Sequence, residues 1–154
     1  MPLSPSERRT LRASGIRLAE IAPLGAAGFF RRMEGALSRD RCAEIAALAD
    51  FQRLGSIGLE SARDFVRLGL HRVEDLVGRE PIELYDELCR LTKARHDPCV
   101  EDVMRCAIAQ AEDPRLPPDL RDWWRWSCVR GQPRGTRPAR VKASAKGASR
   151  HRRP

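Results

Sequence analysis

Apolar residues recur at helical spacing along the middle of the chain, in segments bounded by recognisable start and stop signals. In "SRDRCAEIAALAD" Ser38 stands as a capping residue ahead of Cys42, Ile45, Ala46 and Leu48, an apolar stripe suited to one helix. Asp50 is placed to cap a short further turn carrying Phe51 and Leu54. After Gly58 the stripe resumes with Leu59, Ala62, Phe65, Val66 and Leu68, and Gly69 sits where a helix C-terminus favours glycine. A short helix through Val73 and Leu76 leads to "REPIELYDELCRL", with Pro81 in a first-turn position and Leu84, Leu88 and Leu91 on one face. In "HDPCVEDVMRCAIAQA" Asp97 is the cap, Pro98 the first helical residue, and Val100, Val103, Met104, Ala107 and Ile108 the buried stripe. "PPDLRDWWRWS" closes the pattern with a final short helix.

The pattern fades at both ends. Residues 1–37 are rich in Pro, Gly, Ser and Arg without sustained periodicity and read as a mobile leader, with Met33 a candidate alternative start. Residues 128–154 hold no acidic group and read as a disordered basic tail that buries too little surface to offset its ordering entropy. One domain, residues 38–127, is left between them. β-Branched and aromatic residues are sparse and Ala, Leu, Arg and Glu dominate, which predicts an all-α fold.

The net charge of +8 suggests a nucleic-acid partner until it is divided along the chain. Residues 1–37 carry +3, residues 38–128 carry −4 and residues 129–154 carry +9. The foldable part is therefore mildly acidic, and the basic character belongs to the ends. No apolar run approaches the roughly 20 residues that span a bilayer. Five cysteines at irregular intervals suit a reducing compartment, so a cytoplasmic, soluble protein without membrane contact is expected.

The stretch "LGSIGLESARDFVRLGLHRVEDL" has the form of a helix-hairpin-helix motif: a hydrophobic residue, a Gly-containing turn ending in Ile57-Gly58, then a hydrophobic face. Together with "ELYDELCRLTKARHDPCVEDV" and the Trp cluster downstream, it resembles the bacterial "pathogenicity locus" family, some members of which are labelled mitomycin resistance proteins. The resemblance spans about residues 38–127, and "RHDPCV" is its most distinctive part. It implies a compact double helix-hairpin-helix, SAM-like domain. In such modules the amides of the turn and of the second helix's first residues hold a DNA phosphate, in a contact independent of sequence. Carried onto this chain, the phosphate-binding set is Arg53, Gly55, Ser56, Gly58, Leu59 and Arg63. Two positions depart from the motif. Ser56 replaces the first glycine of Gly-Ile-Gly, and Glu60 stands where DNA-binding versions carry a lysine, so its carboxylate repels phosphate. A hairpin kept for packing alone is the competing reading.

The second helical pair has no glycine in its turn. Lys93, Arg95 and His96 make it a second candidate phosphate site, but the Asp97 carboxylate itself fills the anion position, and the pair reads as mainly structural. Cys89, His96, Cys99 and Cys106 contain zinc-type donors, yet Cys99 and Cys106 lie about 10 Å apart along one helix, too far to share an ion. Cys89, His96 and Cys99 remain as a three-ligand alternative to buried apolar cysteines. Cys99, in a helix's first turn with His96 nearby, is the best candidate for a reactive thiolate, but no oxyanion device or further catalytic element accompanies it. Trp123 and Trp126, one turn apart, suit a lid on the core, while Trp124 beside Arg121 and Arg125 suits stacking on an unpaired base.

These readings converge on a protein that is not an enzyme and needs no cofactor or metal, binds DNA nonspecifically through hairpin amides with help from its basic tail, and serves as an accessory factor in DNA-damage tolerance. A protein-interaction module with a protein partner instead of DNA is the alternative. A thiol, redox or metal site at Cys99 is the third.

Overall fold

The computed structural model describes residues 3–139. Every regular element among them is helical: α1 (Pro5–Ala13), α2 (Leu18–Arg32), α3 (Arg39–Phe51), α4 (Leu59–Arg67), α5 (Pro81–Thr92) and α6 (Cys99–Glu112), with 3-10 turns at Val73–Leu76, Pro118–Leu120 and Trp123–Val129. The all-α expectation holds. The boundary signals act as anticipated at several ends. Ser38 Oγ accepts the Arg41 N–H at 3.2 Å, Pro81 opens α5, and Asp97 Oδ1 accepts the Cys99 N–H at 2.8 Å, although α6 begins at Cys99 with Pro98 in the cap position, one residue later than expected.

Two apolar cores share α3. From its C-terminal half, Leu48 and Phe51 join Ile57, Phe65, Leu76, Leu84, Leu88, Met104 and Ile108 in the larger core, which unites α4, α5 and α6. Phe51 and Phe65 meet there with ring centroids 5.0 Å apart. From its N-terminal half, Cys42, Ile45 and Ala46 join Leu11, Ile16, Ile21, Phe29 and Met33. A third cluster packs Trp126, Leu116, Leu120 and Val129 on the Cys106–Ala109 side of α6.

The leader reading of residues 1–37 is corrected here. Residues 5–32 form α1 and α2, which bury Leu11, Ile21, Phe29 and, just past α2, Met33. α1 begins with a full capping box, Ser4 Oγ accepting the Glu7 N–H and the Glu7 carboxylate accepting the Ser4 N–H. α2 is bent where Gly25 takes φ +62°, so its two pieces show no continuous 3.6-residue period. Asp50 also differs from expectation. α3 runs through it to Phe51, and its carboxylate accepts the Val73 N–H at 2.8 Å, fixing the start of the 3-10 turn at residue 73.

The tail boundary is likewise corrected for residues 128–139. The turn beginning at Trp123 runs to Val129, and residues 130–139 lie against α6 as a strap. The final short helix predicted near the tryptophans is divided into two 3-10 turns. The rest of the basic tail, residues 140–154, lies outside the described residues.

Candidate nucleic-acid interface

The connection from α3 to α4, residues 52–58, turns sharply at a non-glycine residue. Ser56 takes φ +61°, the left-handed region that favours glycine, and its Oγ donates to Asp122 Oδ1 at 3.3 Å. Gly55 serves a different purpose. A methyl group there would come within 2.9 Å of Arg121 Cβ and 3.2 Å of Gln110 Oε1, so the absent side chain permits close packing. The buried Gln110 grips the Gly55 peptide from both sides, Oε1 accepting its N–H at 2.7 Å and Nε2 donating to its carbonyl at 3.0 Å. Gly55 is thereby removed from the proposed phosphate donors, because its N–H already has a short, buried-side acceptor.

The start of α4 is open. Gly58 is exposed, has ordinary extended dihedrals (φ −81°, ψ 176°), and, its chain neighbours aside, has no atom of the described residues within 4 Å of where a Cβ would lie. The N–H groups of Gly58, Leu59, Glu60 and Ser61 have no acceptor among the described residues, the usual condition of a helix's first turn without a capping side chain. The two arginines assigned to this site are each paired locally. Arg53 bonds Asp50 Oδ1 at 2.7 Å, and Arg63 bonds Glu60 across one turn of α4. Glu60 itself is largely exposed. The corner thus offers four amides and a positive helix end, bordered by the Glu60 carboxylate and, through Ser56, by that of Asp122.

The α5–α6 connection closes its anion position with its own groups. Lys93 ends α5 at φ +53°, Lys93 and Arg95 are exposed, and the Asp97 carboxylate occupies the first turn of α6. His96 is turned inward, sharing a 2.8 Å hydrogen bond with Thr92 Oγ1, and its carbonyl accepts the Tyr85 hydroxyl at 2.6 Å. The bond to the Cys99 amide holds Asp97 below the usual carboxylate range. The surroundings of Cys99 disfavour a reactive thiolate: burial first, then the hydrogen bond and charge of Asp97, push its thiol above the ordinary value. Cys106 is raised further by burial, to about 12. No three His, Cys, Asp or Glu side chains come together in metal-binding geometry among the described residues.

The tryptophans divide as expected. Trp126 is buried and donates its indole N–H to the Leu120 carbonyl at 2.9 Å, while Trp124 is exposed, with Trp123 edge-on to it at 6.0 Å. The arginines beside them are engaged with backbone carbonyls, Arg121 with Leu116 and Pro114, Arg125 with Ala139.

Sequence reasoning missed the polar face of α6. Glu101, Asp102, Arg105 and Gln110 are all buried. Asp102, with no exposed surface, receives both the Nε (2.9 Å) and a terminal nitrogen of Arg130. Glu101 accepts from Arg105 Nε (2.7 Å) and the Gly131 N–H (2.8 Å), and Arg105 donates to the Gln132 carbonyl (2.6 Å). The only prior signal was compositional: an acidic helix and a later run of arginines.

A family model described as pathogenicity locus matches residues 44–132, more than half of the chain. The chain belongs to the pathogenicity locus family. Its match to the family begins inside α3 and ends at Gln132, the residue that Arg105 holds, so it includes the larger core, the α3–α4 corner and the clamp on α6. A curated relative, mitomycin resistance protein McrB from Streptomyces lavendulae, is 35% identical over 79 residues, 51% of this chain and 71% of its own length. No solved structure matches this pathogenicity locus protein. Among its described residues, no helix is long and apolar enough to cross a membrane.

Proposed function

We propose that this pathogenicity locus protein is a non-catalytic accessory factor that binds the DNA backbone without sequence preference and contributes to tolerance of mitomycin-type damage. The carrying observation is the open first turn of α4, where the amides of Gly58, Leu59, Glu60 and Ser61 have no acceptor among the described residues. Four such donors on a positive helix end are chemically suited to a phosphate. The damage-tolerance part is supported by the name of the Streptomyces relative. The corner works as a double helix-hairpin-helix protein would use it, but with the donor set shifted from Gly55 and Ser56 to the helix's own first residues. The second site, at Lys93, Arg95 and His96, is set aside, because Asp97 already holds its helix end.

Gly58→Asp tests the corner without damaging it. An aspartate at the N-cap satisfies the same amides and preserves α4, while placing a fixed negative charge where the phosphate is to sit. Binding of the full chain to a short duplex is expected to weaken by roughly tenfold or more at low salt, with the melting temperature unchanged or higher. Glu60→Lys is expected to act in the opposite direction, removing the repulsion and releasing Arg63. Equal DNA affinity in all three proteins would refute the corner as the binding site. A second reading, a protein-interaction module, is favoured by the exposed Glu60 and the −4 charge of residues 38–128. It predicts no duplex binding by a chain ending at Ala139.

A further inference from the structure

The strap formed by residues 130–139 is held in two ways. Its proximal part is anchored by buried groups: Asp102 has no exposed surface, and the Glu101–Arg105 pair beside it is nearly as enclosed. Its distal part is held at the rim. Arg134 bonds Glu80 at 3.2 Å and also Glu112, and Arg137 bonds Asp113 at 3.1 Å. These two arginine side chains are 38% and 44% exposed, and their acidic partners are between 26% and 43% exposed. Beneath Gly135 and Thr136 a cavity of about 140 Å³ lies over Ile108, Ala109 and Trp126, so packing there is sparse; beyond it the strap is held by the buried Pro138 and by the Ala139 carbonyl, which accepts from Arg125 at 3.0 Å. Exposed ion pairs are weak and are screened by salt, whereas a buried carboxylate with one bidentate partner is costly to strand.

We propose that Arg134 and Arg137 form a second, latent phosphate-binding element, masked within the chain by Glu80, Glu112 and Asp113. Guanidinium groups bind phosphate oxygens with the same bidentate geometry they use on carboxylates, so a polyanion competes directly with the acidic rim for these two side chains. The distal strap peels away when it engages one, and residues 130–132 stay clamped. The masking lowers apparent affinity by the free energy of the rim contacts, which makes the bare domain a weaker polyanion binder than its arginine count suggests. This inference takes DNA as the physiological polyanion and to that extent rests on the function proposed above.

The test uses the full chain and separates the two claims. In 15N NMR spectra, added inorganic polyphosphate is expected to move the amide signals of Gly135 and Thr136 while leaving that of Gly131, bonded to Glu101, in place. Signals of Gly135 and Thr136 that stay still, or that move together with Gly131, overturn the latent element whatever the protein does with DNA. For duplex binding, a Glu80→Gln, Glu112→Gln, Asp113→Asn variant is expected to bind about threefold to tenfold tighter than a charge-matched control, the scale of three solvent-screened ion pairs. The control carries Asp40→Asn, Glu74→Gln and Asp86→Asn, exposed carboxylates away from the strap. Adding Arg134→Gln and Arg137→Gln to the rim variant is expected to erase the gain. A gain equal to the control's, or one that survives loss of both arginines, refutes the masking. Polyphosphate shifts without duplex binding by any of these proteins would leave the latent element standing and the DNA function failed.

Discussion

At the amino-terminal end, residues 5–33 dock on α3 by burying Leu11, Ile16, Ile21, Phe29 and Met33, with one enclosed ion pair, Glu7 to Arg41. At the carboxyl-terminal end, residues 130–139 dock on α6 through Arg130, Arg134 and Arg137, with Pro138 as the main buried contact. Both ends are rich in Pro, Gly and Arg, and those residues alone do not tell them apart. The difference lies in the apolar content between the breakers: "LAEIAPLGAAGFF" carries enough large side chains to form a core, and "RGQPRGTRPA" carries none. One end is therefore held by water's exclusion and is insensitive to salt, and the other is held by charge and responds to it.

The largest expected effect comes from emptying the first interface. Phe29 is completely enclosed by the smaller core, and Phe29→Ala is expected to cost about 3–5 kcal/mol. Because α5 and α6 belong to the other core, the loss is expected to be regional: hydrogen exchange would show α1 and α2 losing protection while α5 and α6 keep theirs. Uniform loss along the whole chain would mean that the two cores melt as one, and that the docking of the first end is not separable.

Next in size is the anchor of the other end. Arg130→Ala leaves Asp102 buried without its cation, and a cost of about 2–4 kcal/mol is expected, somewhat below that for a fully enclosed pair because a third of the Arg130 side chain meets solvent. Chemical denaturation read by Trp fluorescence measures it. Asp102→Asn in the same background should restore part of the loss, since an amide tolerates burial better than an unpaired carboxylate. A double variant no more stable than Arg130→Ala would show that the strap's contribution is something other than the pairing of that charge.

How far these arrangements could be read beforehand follows from the reach of each signal. Ser38, Pro81 and Asp97 act on neighbours within three residues, and their helix starts were legible for that reason. The apolar stripes placed Phe65, Leu84, Leu88 and Met104 in the core, although Leu91, at the end of its stripe, is 52% exposed. The polar face of α6 was illegible because charged residues on a helix ordinarily face solvent, and the partners that bury these come from far along the chain. Gln110 meets Gly55 across 55 positions, and Asp102 meets Arg130 across 28. The bend at Gly25 hid α2 in the same sense, by breaking the period that would have revealed it. At the candidate interface, Gly55 is a packing residue, and the left-handed residue is Ser56. Spacing identified the corner, but only the neighbours of Gly55 show which of its amides are free.

The smallest of these effects separates the two ends by acid instead of mutation. Arg41 donates two hydrogen bonds to the Glu7 carboxylate, at 2.6 and 3.1 Å. That pairing, chiefly, holds Glu7 down at about 2, against an ordinary value of 4.5. A carboxylate whose folded value is depressed stabilises the fold fully above its unfolded value and loses that contribution as pH falls towards the folded one. The docking of α1 should therefore weaken between about pH 4.5 and pH 2, by about 1–2 kcal/mol once solvent screening of the partly exposed pair is allowed for. Glu7→Gln removes the titrating group, so its stability should fall less than the wild type's across that window, measured by denaturation at matched ionic strength. The high salt that loosens the distal strap should leave this step nearly intact, because both partners are mostly withdrawn from solvent. If Glu7→Gln and wild type lose stability in parallel through the acid range, the pair adds nothing to the docking of α1, and the amino-terminal end is held by its apolar contacts alone.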